Sequence, residues 1–187
     1  VIFSDFRHGI FNKESIPNYI KALNKNVLKV ADSQVASRWG NILDFSGFDL
    51  ITPNEKEARF SMADQDSSVR PLASALYEKA KCKYLILKLG SRGIITLRRK
   101  IKPNDYRSFF VIDALENNAI DPVGCGDGLL AYSSLGLYSS KDPLVASILG
   151  SISSALVSKT DGNNPVSYKK VIEELKLIED KLNLISN

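Results

Sequence analysis

Short apolar runs alternate with helical patterns along the first half of the chain. The run YLILKLG is almost continuously apolar, which is typical of a strand buried on both faces of a sheet. Similar runs precede it in VIFSDF, VLKVADS and FDLITP, and the helical patterns lie in SIPNYIKALNKN, NEKEARF and SVRPLASALYEKAK. This alternation predicts an α/β domain with a mainly parallel sheet and right-handed crossovers. In such sheets ligands gather at the carboxyl ends of the strands.

The pattern changes after the predicted strand YLILKLG. GIITLRR and SFFVIDAL follow closely and predict an antiparallel or edge excursion of the sheet. Two helices come next, in DGLLAYSSLGLY and DPLVASILGSISSALVSK. The tail SYKKVIEELKLIEDKLNLIS is an amphipathic helix with apolar residues at heptad spacing, which permits a short coiled coil, although packing on the sheet is the preferred interpretation. We predict a single α/β domain over residues 1–187.

Composition excludes several classes of protein. With 187 residues, 44% hydrophobic and 25% charged, the chain is long enough for one globular domain with a sizeable core. No apolar run reaches the length of a membrane span, and the start lacks the layout of a signal peptide. Cys82 and Cys125 make no disulfide framework, so we expect a reducing, cytoplasmic setting. The net charge of +4 suits a phosphorylated small molecule, and no dense basic run with aromatic residues suggests a nucleic-acid partner.

The stretch AIDPVGCGDGLLAY places two glycines and two aspartates before an apolar helix. A helix N-terminus attracts anions, and Gly124 and Gly126 would let a phosphate approach the backbone. Asp127 suits a base that takes a proton from an acceptor hydroxyl. The alternative is a glycine-rich turn with Asp127 as the N-cap. For Cys125 at the helix start, a small packed residue is the preferred interpretation, and a thiol with a lowered pKa is the alternative.

A second motif, TPNEKE, follows the run FDLI. Asn54 with Glu57 three residues later has the spacing of a capping box. In the alternative, functional interpretation both residues face nucleotide phosphates and a hydrated Mg²⁺, an ion that keeps its waters and takes few protein ligands.

A third motif, KLGSRG, ends the run YLIL. Gly90 and Gly93 permit a tight turn between adjacent strands. Alternatively, the backbone of this turn runs alongside nucleotide phosphates, and Lys88 or Arg92 supplies positive charge.

In this order the three motifs resemble those of the PfkB, or ribokinase-like, family of carbohydrate kinases. That family has Asn-x-x-Glu after a strand, then Thr-Leu-Gly-x-x-Gly, then Asp-Thr-x-Gly-Ala-Gly-Asp before a helix, and the chain offers NEKE, KLGSRG and DPVGCGD. Pro122, Cys125 and Lys88 depart from this pattern, but none removes a group that the mechanism needs. The resemblance implies a three-layer α/β/α ribokinase-like fold, of which this chain is the C-terminal portion, without the N-terminal part and its lid.

The resemblance also implies ATP and Mg²⁺ as cofactors and gives each matching residue a role. Asp127 would be the catalytic base, and Gly124, Cys125 and Gly126 would form the anion hole for the transferring phosphoryl group. Asn54 and Glu57 would organise Mg²⁺. The nucleotide-side turn would consist of Lys88, Gly90, Ser91 and Gly93, and the adenine pocket would include Gly150, Ser151 and Ser154.

The start SDFRHGIF narrows the choice of acceptor substrate. It resembles the Ser-Asp-Tyr-x-Lys-Gly stretch of the bacterial heptose 7-phosphate kinases, with Asp5 and Lys159 as the matching substrate residues. A sugar or sugar phosphate is therefore the expected partner, and an exposed sheet edge would also permit a homodimer. Two alternatives stay open: a kinase of the same family for another sugar or a nucleoside, and a nucleotide-binding module without turnover.

Overall fold

The computed structural model describes residues 1–34, 41–99, 108–116, 118–162 and 164–185. By its contacts the chain divides into two compact units, Val1–Val111 and Ile112–Asn187. The prediction of a single domain therefore stays a prediction.

One sheet contains the six strands found among the described residues, and they lie side by side in chain order. The strands are β1 (Ile2–Asp5), β2 (Val30–Ser33), β3 (Leu50–Ile51), β4 (Tyr84–Lys88), β5 (Ile94–Arg98) and β6 (Phe109–Ile112). β1 to β4 are parallel, with Ala31 beside Phe3 and Leu85 beside Ile51. β4 and β5 are antiparallel, with Leu87 opposite Ile95. The predicted parallel sheet with an antiparallel excursion is confirmed.

Three α-helices connect the parallel strands: α1 (Ser15–Ala22), α2 (Glu55–Met62) and α3 (Val69–Ala80). α2 and α3 each end at a residue in the left-handed conformation, Ala63 and Lys81, a common way to satisfy the last carbonyls of a helix. The predicted apolar face of α3 is buried through Leu72, Ala73, Leu76 and Ala80. Fully burying one leucine stabilises the fold by roughly 1.5–3 kcal/mol, so this face fixes α3 on the sheet.

The core of the first unit lies between these helices and one face of the sheet. Its aromatic part joins Phe3 to Phe45 and Phe48, with ring centroids 5.1–6.0 Å apart and tilted or edge-on. Leu85, Ile86 and Leu87 are all buried, so β4 is covered on both faces, as its continuous apolar run predicts.

The second unit contains the helices α4 (Cys125–Ser140), α5 (Pro143–Ser158) and α6 (Tyr168–Ile185). Asp142 caps α5 by accepting a hydrogen bond from the N–H of Leu144, and Pro143 occupies the first helical position. α4 and α5 form an antiparallel pair in close contact, because small residues such as Gly136 and Gly150 lie between them. α6 packs against α5 and buries Val171. A helix long and apolar enough to cross a bilayer does not occur within the described ranges.

Candidate functional site

In the first unit, polar side chains lie at or just beyond the carboxyl ends of four parallel strands. They belong to Asp5 in β1, Asp32 in β2, Asn54 after β3 and Lys88 at the end of β4. The backbone joins the last two directly, since Asn54 and Lys88 form a parallel bridge and the N–H of Lys88 donates to the carbonyl of Pro53 at 2.9 Å. The structure thus brings the NEKE and KLGSRG motifs together at one edge of the sheet, where ligands of α/β proteins bind.

Asn54 and Glu57 form the predicted capping box at the start of α2. The side chain of Asn54 accepts from the N–H of Glu57 at 2.9 Å, and the N–H of Asn54 donates to Glu57 Oε2 at 2.7 Å. A further bond, from Asn54 Nδ2 to Glu57 Oε1 at 2.6 Å, occupies the second carboxylate oxygen. Glu57 is only 6% exposed, and burial raises its pKa to about 7 although Lys88 acts in the opposite direction. Capping explains the motif locally, and metal binding by these two residues stays a prediction.

Lys88 makes an ion pair that the sequence did not reveal. Its Nζ lies 2.8 Å from Asp32 Oδ2, and both side chains are mostly buried. The other oxygen, Asp32 Oδ1, and the hydroxyl of Thr52 are buried without a hydrogen-bond partner among the described residues. These atoms are acceptors that can bind a water or a hydrated cation. Because the two residues are 56 positions apart, the sequence carries no local signal that would point to Asp32.

The KLGSRG segment forms a short 3₁₀ turn, Gly90–Arg92, between β4 and β5. Gly90 and Gly93 both have positive φ, 63° and 80°, a conformation that glycine adopts without steric cost. Gly90 and Ser91 are exposed at this edge. The expected tight turn between adjacent strands is confirmed, and nucleotide binding there stays a prediction.

At the end of β1, Asp5 is buried against Arg7. Arg7 Nε lies 3.2 Å from Asp5 Oδ2, and its Nη1 lies 3.5 Å from Asp44 Oδ2. Arg7 also donates to the hydroxyl of Ser33 and has a positive φ of 60°, which is uncommon for a residue other than glycine. The structure thus gives Asp5 an internal partner, and a substrate contact by Asp5 stays a prediction.

In the second unit, the alternative interpretation of Asp127 as the N-cap of α4 is wrong. The N-cap is Gly124, which has a φ of 81° and so lies in the left-handed region that favours glycine. Asp127 is the third helical residue. The N–H of Cys125 donates to the carbonyl of Pro122 at 3.2 Å, so this turn already engages one of the three predicted anion-hole residues. Gly126 and Asp127 lie in the first helical turn, where backbone N–H groups lack an intrahelical acceptor.

The alternative interpretation of Cys125, a thiol with a lowered pKa, is also wrong. Burial raises the pKa of this thiol, although a hydrogen bond with Ser154 acts in the opposite direction. The helix N-terminus does not overcome the loss of hydration, so the residue fits the packed interpretation. The same bond brings Ser154 of α5 beside the start of α4.

The first aspartate of DPVGCGD has a structural role that the sequence did not reveal. Asp121 Oδ1 accepts from the N–H of Val123 at 2.9 Å, and Oδ2 accepts from the N–H of Gly162 at 3.0 Å. The N–H of Ile120 donates to the carbonyl of Ser158 at 2.7 Å. The bond to Val123 shapes the glycine-rich loop itself, and the other two connect the loop to the last residue of α5 and to the segment that follows it.

The remaining predicted residues lie along α5 and at its end. Gly150 is buried at the contact with α4, where a Cβ would lie 2.1 Å from the hydroxyl oxygen of Ser133, so close packing already explains this glycine. Ser151 is half-buried. Lys159 follows the helix and pairs with Glu174 at 3.4 Å and Glu116 at 3.7 Å. A nucleotide or substrate contact by these residues stays a prediction.

Comparison with known proteins assigns the chain to a family. The profile of pfkB family carbohydrate kinases matches residues 13–168. The chain is 28% identical over 181 residues to the bifunctional protein HldE of Campylobacter fetus, covering 94% of this chain and 36% of that protein. It therefore spans about a third of that curated relative.

Solved structures share the fold. Ribokinase from Thermotoga maritima superimposes with a TM-score of 0.73 at 21% identity, over 94% of this chain and 56% of that one. Arabidopsis thaliana ribokinase, complexed with ribose and ATP, gives 0.69 at 18% identity, over 88% and 52%. The predicted ribokinase-like α/β fold is confirmed over about half the length of these enzymes. Because the family profile matches most of its length, the chain belongs to the pfkB family of carbohydrate kinases.

Proposed function

We propose that this chain is the nucleotide-binding and catalytic portion of an ATP-dependent sugar kinase, with heptose 7-phosphate as the first acceptor to test. Sugar kinases of the family are phosphotransferases, and the similarity to HldE supports the choice of acceptor. A reducing, cytoplasmic setting belongs to the same proposal.

The observation that carries the proposal is the start of α4. A left-handed Gly124 turns the chain into the helix, and a carboxylate, Asp127, follows in the first turn. N–H groups of a first turn stabilise negative charge, which fits a transferring phosphoryl group. A carboxylate there works against anion binding alone but suits removal of a proton from an acceptor hydroxyl, a contribution of typically 10²–10⁴-fold in rate.

The first unit has groups that fit a hydrated Mg²⁺ and a polyphosphate. Glu57 uses one lone pair of each carboxylate oxygen on Asn54 and keeps others, and Asp32 Oδ1 has no partner among the residues described. Asn54, Glu57 and Asp32 would hold the ion through its waters. When bound, Mg-ATP supplies the γ-phosphoryl group that is transferred.

A second candidate is a nucleotide-binding module without turnover. It is favoured by the fact that the chain spans about half of the solved kinases that it resembles, 56% and 52%. A kinase of the same family acting on another sugar or a nucleoside is the alternative within catalysis.

The test measures ADP release from Mg-ATP across a panel of sugars and nucleosides that includes heptose 7-phosphate, together with direct ATP binding. Release with one acceptor identifies the substrate, whereas binding without release favours the module. Asp127→Asn should reduce release at least about a hundredfold while ATP affinity stays within a few-fold, because a base acts in the transition state.

Asp142→Asn is the matched control, because it removes one carboxylate at the start of α5 and asparagine caps helices as well as aspartate does. Turnover by Asp127→Asn equal to that of this control would refute the role of Asp127. A wild-type chain that binds no nucleotide would refute both candidates.

A further inference from the structure

A row of charged residues crosses the amino ends of the parallel strands, at the end of the sheet opposite the candidate site. The register places four residues of β2 to β5 side by side: Val30, Leu50, Tyr84 and Arg98. The residues immediately outside them are Lys29, Asp49, Lys83 and Arg99. Neighbouring strands lie about 4.8 Å apart, so this row is about 15 Å long. Charged groups that are far apart in the sequence thus share one line across the sheet.

Positive charge is concentrated at this end of the sheet. Four segments meet there, 23–29, 46–49 and 81–83 before β2, β3 and β4, and 98–99 at the end of β5; they are termed the basic end. They contain six cations and one carboxylate: Lys25, Lys29, Lys81, Lys83, Arg98, Arg99 and Asp49. The excess of five positive charges is larger than the net charge of +4 of the whole chain. The remainder of the chain is therefore close to neutral.

The single carboxylate of the basic end leaves this charge exposed to solvent. Asp49 is buried, at 6% exposure, and Lys83 Nζ lies 2.6 Å from its Oδ1. Lys29 Nζ lies 3.7 Å from Oδ2 of the same carboxylate. The side chain of Lys83 is nevertheless 72% exposed. Three further cations of the basic end are exposed residues: Lys25, Lys81 and Arg99.

Helix ends explain only part of the basic end. A helix C-terminus attracts cations, and this accounts for Lys81, the C-cap of α3. The attraction is confined to the last turn of a helix. Lys83 precedes a strand, and Arg98 and Arg99 end one, so the helix dipole does not account for them. A partner of opposite charge does.

The shape and composition of the basic end favour a flat anionic partner. Its cations lie along one end of a sheet, which suits a plane of negative charge. None of the exposed large hydrophobic side chains among the described residues belongs to its four segments. Single-stranded nucleic acids are bound largely by stacking on aromatic side chains, and helices that enter a bilayer interface do so through apolar ones. Attraction by charge alone is what a lysine-rich cluster offers to anionic lipid headgroups.

We infer that the basic end docks this chain on an anionic lipid surface. Docking needs no membrane-spanning helix, because the lysine and arginine side chains interact with the lipid phosphates from outside the bilayer. The candidate site lies at the other end of the strands, about 17 Å away along the five residues of β4, and so stays accessible from solution. The inference is independent of the proposed function, since it uses none of the residues of that site.

The test measures co-sedimentation of the 187-residue chain with vesicles of phosphatidylglycerol and phosphatidylcholine, and with vesicles of phosphatidylcholine alone. At low ionic strength we expect binding to the anionic vesicles only. Raising the salt from about 0.01 M to about 0.15 M shortens the Debye length from about 30 to about 8 Å and should release the chain. Near an anionic surface each basic residue contributes about fivefold in binding. The triple variant Lys25→Gln, Lys81→Gln and Arg99→Gln should therefore bind about a hundredfold more weakly.

The matched control is a second triple variant with the same net charge: Lys13→Gln, Lys56→Gln and Arg92→Gln. These exposed cations lie in segments that follow the carboxyl ends of β1, β3 and β4. Arg92 gives up an ion pair with Glu55, but its side chain is 57% exposed and such a pair contributes little to stability. We expect this variant to bind the anionic vesicles within a few-fold of wild type. Urea denaturation checks that both variants fold.

The outcomes decide the inference without affecting the proposed function. Equal weakening by the two triple variants overturns it, because only net charge would then matter. Failure of the wild-type chain to bind anionic vesicles at low salt, or equal binding to phosphatidylcholine alone, also overturns it. Tighter binding to single-stranded RNA than to vesicles at the same phosphate concentration overturns the choice of a lipid surface. ATP binding and sugar phosphorylation are measured separately and do not depend on any of these results.

Discussion

Replacing Gly150 with alanine should destabilise the contact between α4 and α5. A Cβ at this position would lie 2.1 Å from Ser133 Oγ and 3.1 Å from the carbonyl oxygen of Leu129. Real Cβ contacts do not reach the first of these distances, so Ser133 would have to rotate or the helices would have to separate. Ser133 is fully buried, which leaves its side chain little room to move.

The magnitude follows from two opposing effects. Overpacking a close-packed contact costs about 1–3 kcal/mol. Alanine favours a helix interior over glycine by about 1 kcal/mol. The net loss of unfolding free energy should therefore be about 1 kcal/mol, with an upper limit of about 2 kcal/mol.

A double-mutant cycle with Ser133→Ala isolates the contact. Ser133 Oγ has no hydrogen-bond partner among the residues described, so its removal alone should be neutral or slightly stabilising. In combination with Gly150→Ala it removes the shortest contact, and a coupling of about 1 kcal/mol is expected from urea denaturation. Ser134→Ala is the control, because Ser134 donates to the carbonyl of Leu130 at 2.6 Å and should not couple to position 150.

A coupling indistinguishable from that control, or a Gly150→Ala chain more stable than wild type, would refute the packing explanation. If stability is unchanged but adenine-nucleotide binding is lost, Gly150 belongs to the adenine pocket, as the family resemblance implies. The two explanations are thus separated by one variant and two assays.

Two further predictions concern buried charge in the first unit. Burial raises the pKa of Glu57 from 4.5 to about 7, so the folded state keeps the proton at pH values where the unfolded chain has lost it. The free energy of unfolding should therefore fall as the pH rises from 4.5 to 7, by an amount on the order of 3 kcal/mol. Glu57→Gln should abolish this dependence in urea titrations at several pH values and weaken the Mg²⁺ dependence of turnover; a pH dependence retained by that variant would contradict the assignment. Arg7→Gln should cost about 3–5 kcal/mol in the same assay, since it leaves Asp5 buried without its cation. Lys83→Gln should cost at most about 1 kcal/mol, because Lys83 is exposed and the buried Asp49 keeps Lys29 as a second cation. Equal losses in the two variants would show that the Arg7 pair contributes no more than the pair of the exposed Lys83.

Local signals in the sequence predicted most of the elements. The continuous apolar run of β4, the spacing of Leu72 and Leu76 in α3 and the Asn54–Glu57 cap each depend on residues close together in the chain. Such patterns report the period and the ends of an element, because capping and amphipathicity act within a few residues. The order of the motifs NEKE, KLGSRG and DPVGCGD is likewise a property of the sequence alone, and it resembles that of the pfkB family.

Tertiary structure decided which groups meet. The pairs Lys88–Asp32, Arg92–Glu55 and Asp121–Gly162 join residues 56, 37 and 41 positions apart, and no local pattern encodes them. Gly124, in the left-handed conformation, is the N-cap of α4 in place of Asp127. Burial has a larger effect on the pKa of Cys125 than the helix N-terminus has. The sequence by itself thus determined the elements and the motif order, because those depend on short-range periodicity. Ion pairing and pKa depend on the distance to distant charges and on loss of water, which exist only after the chain has folded.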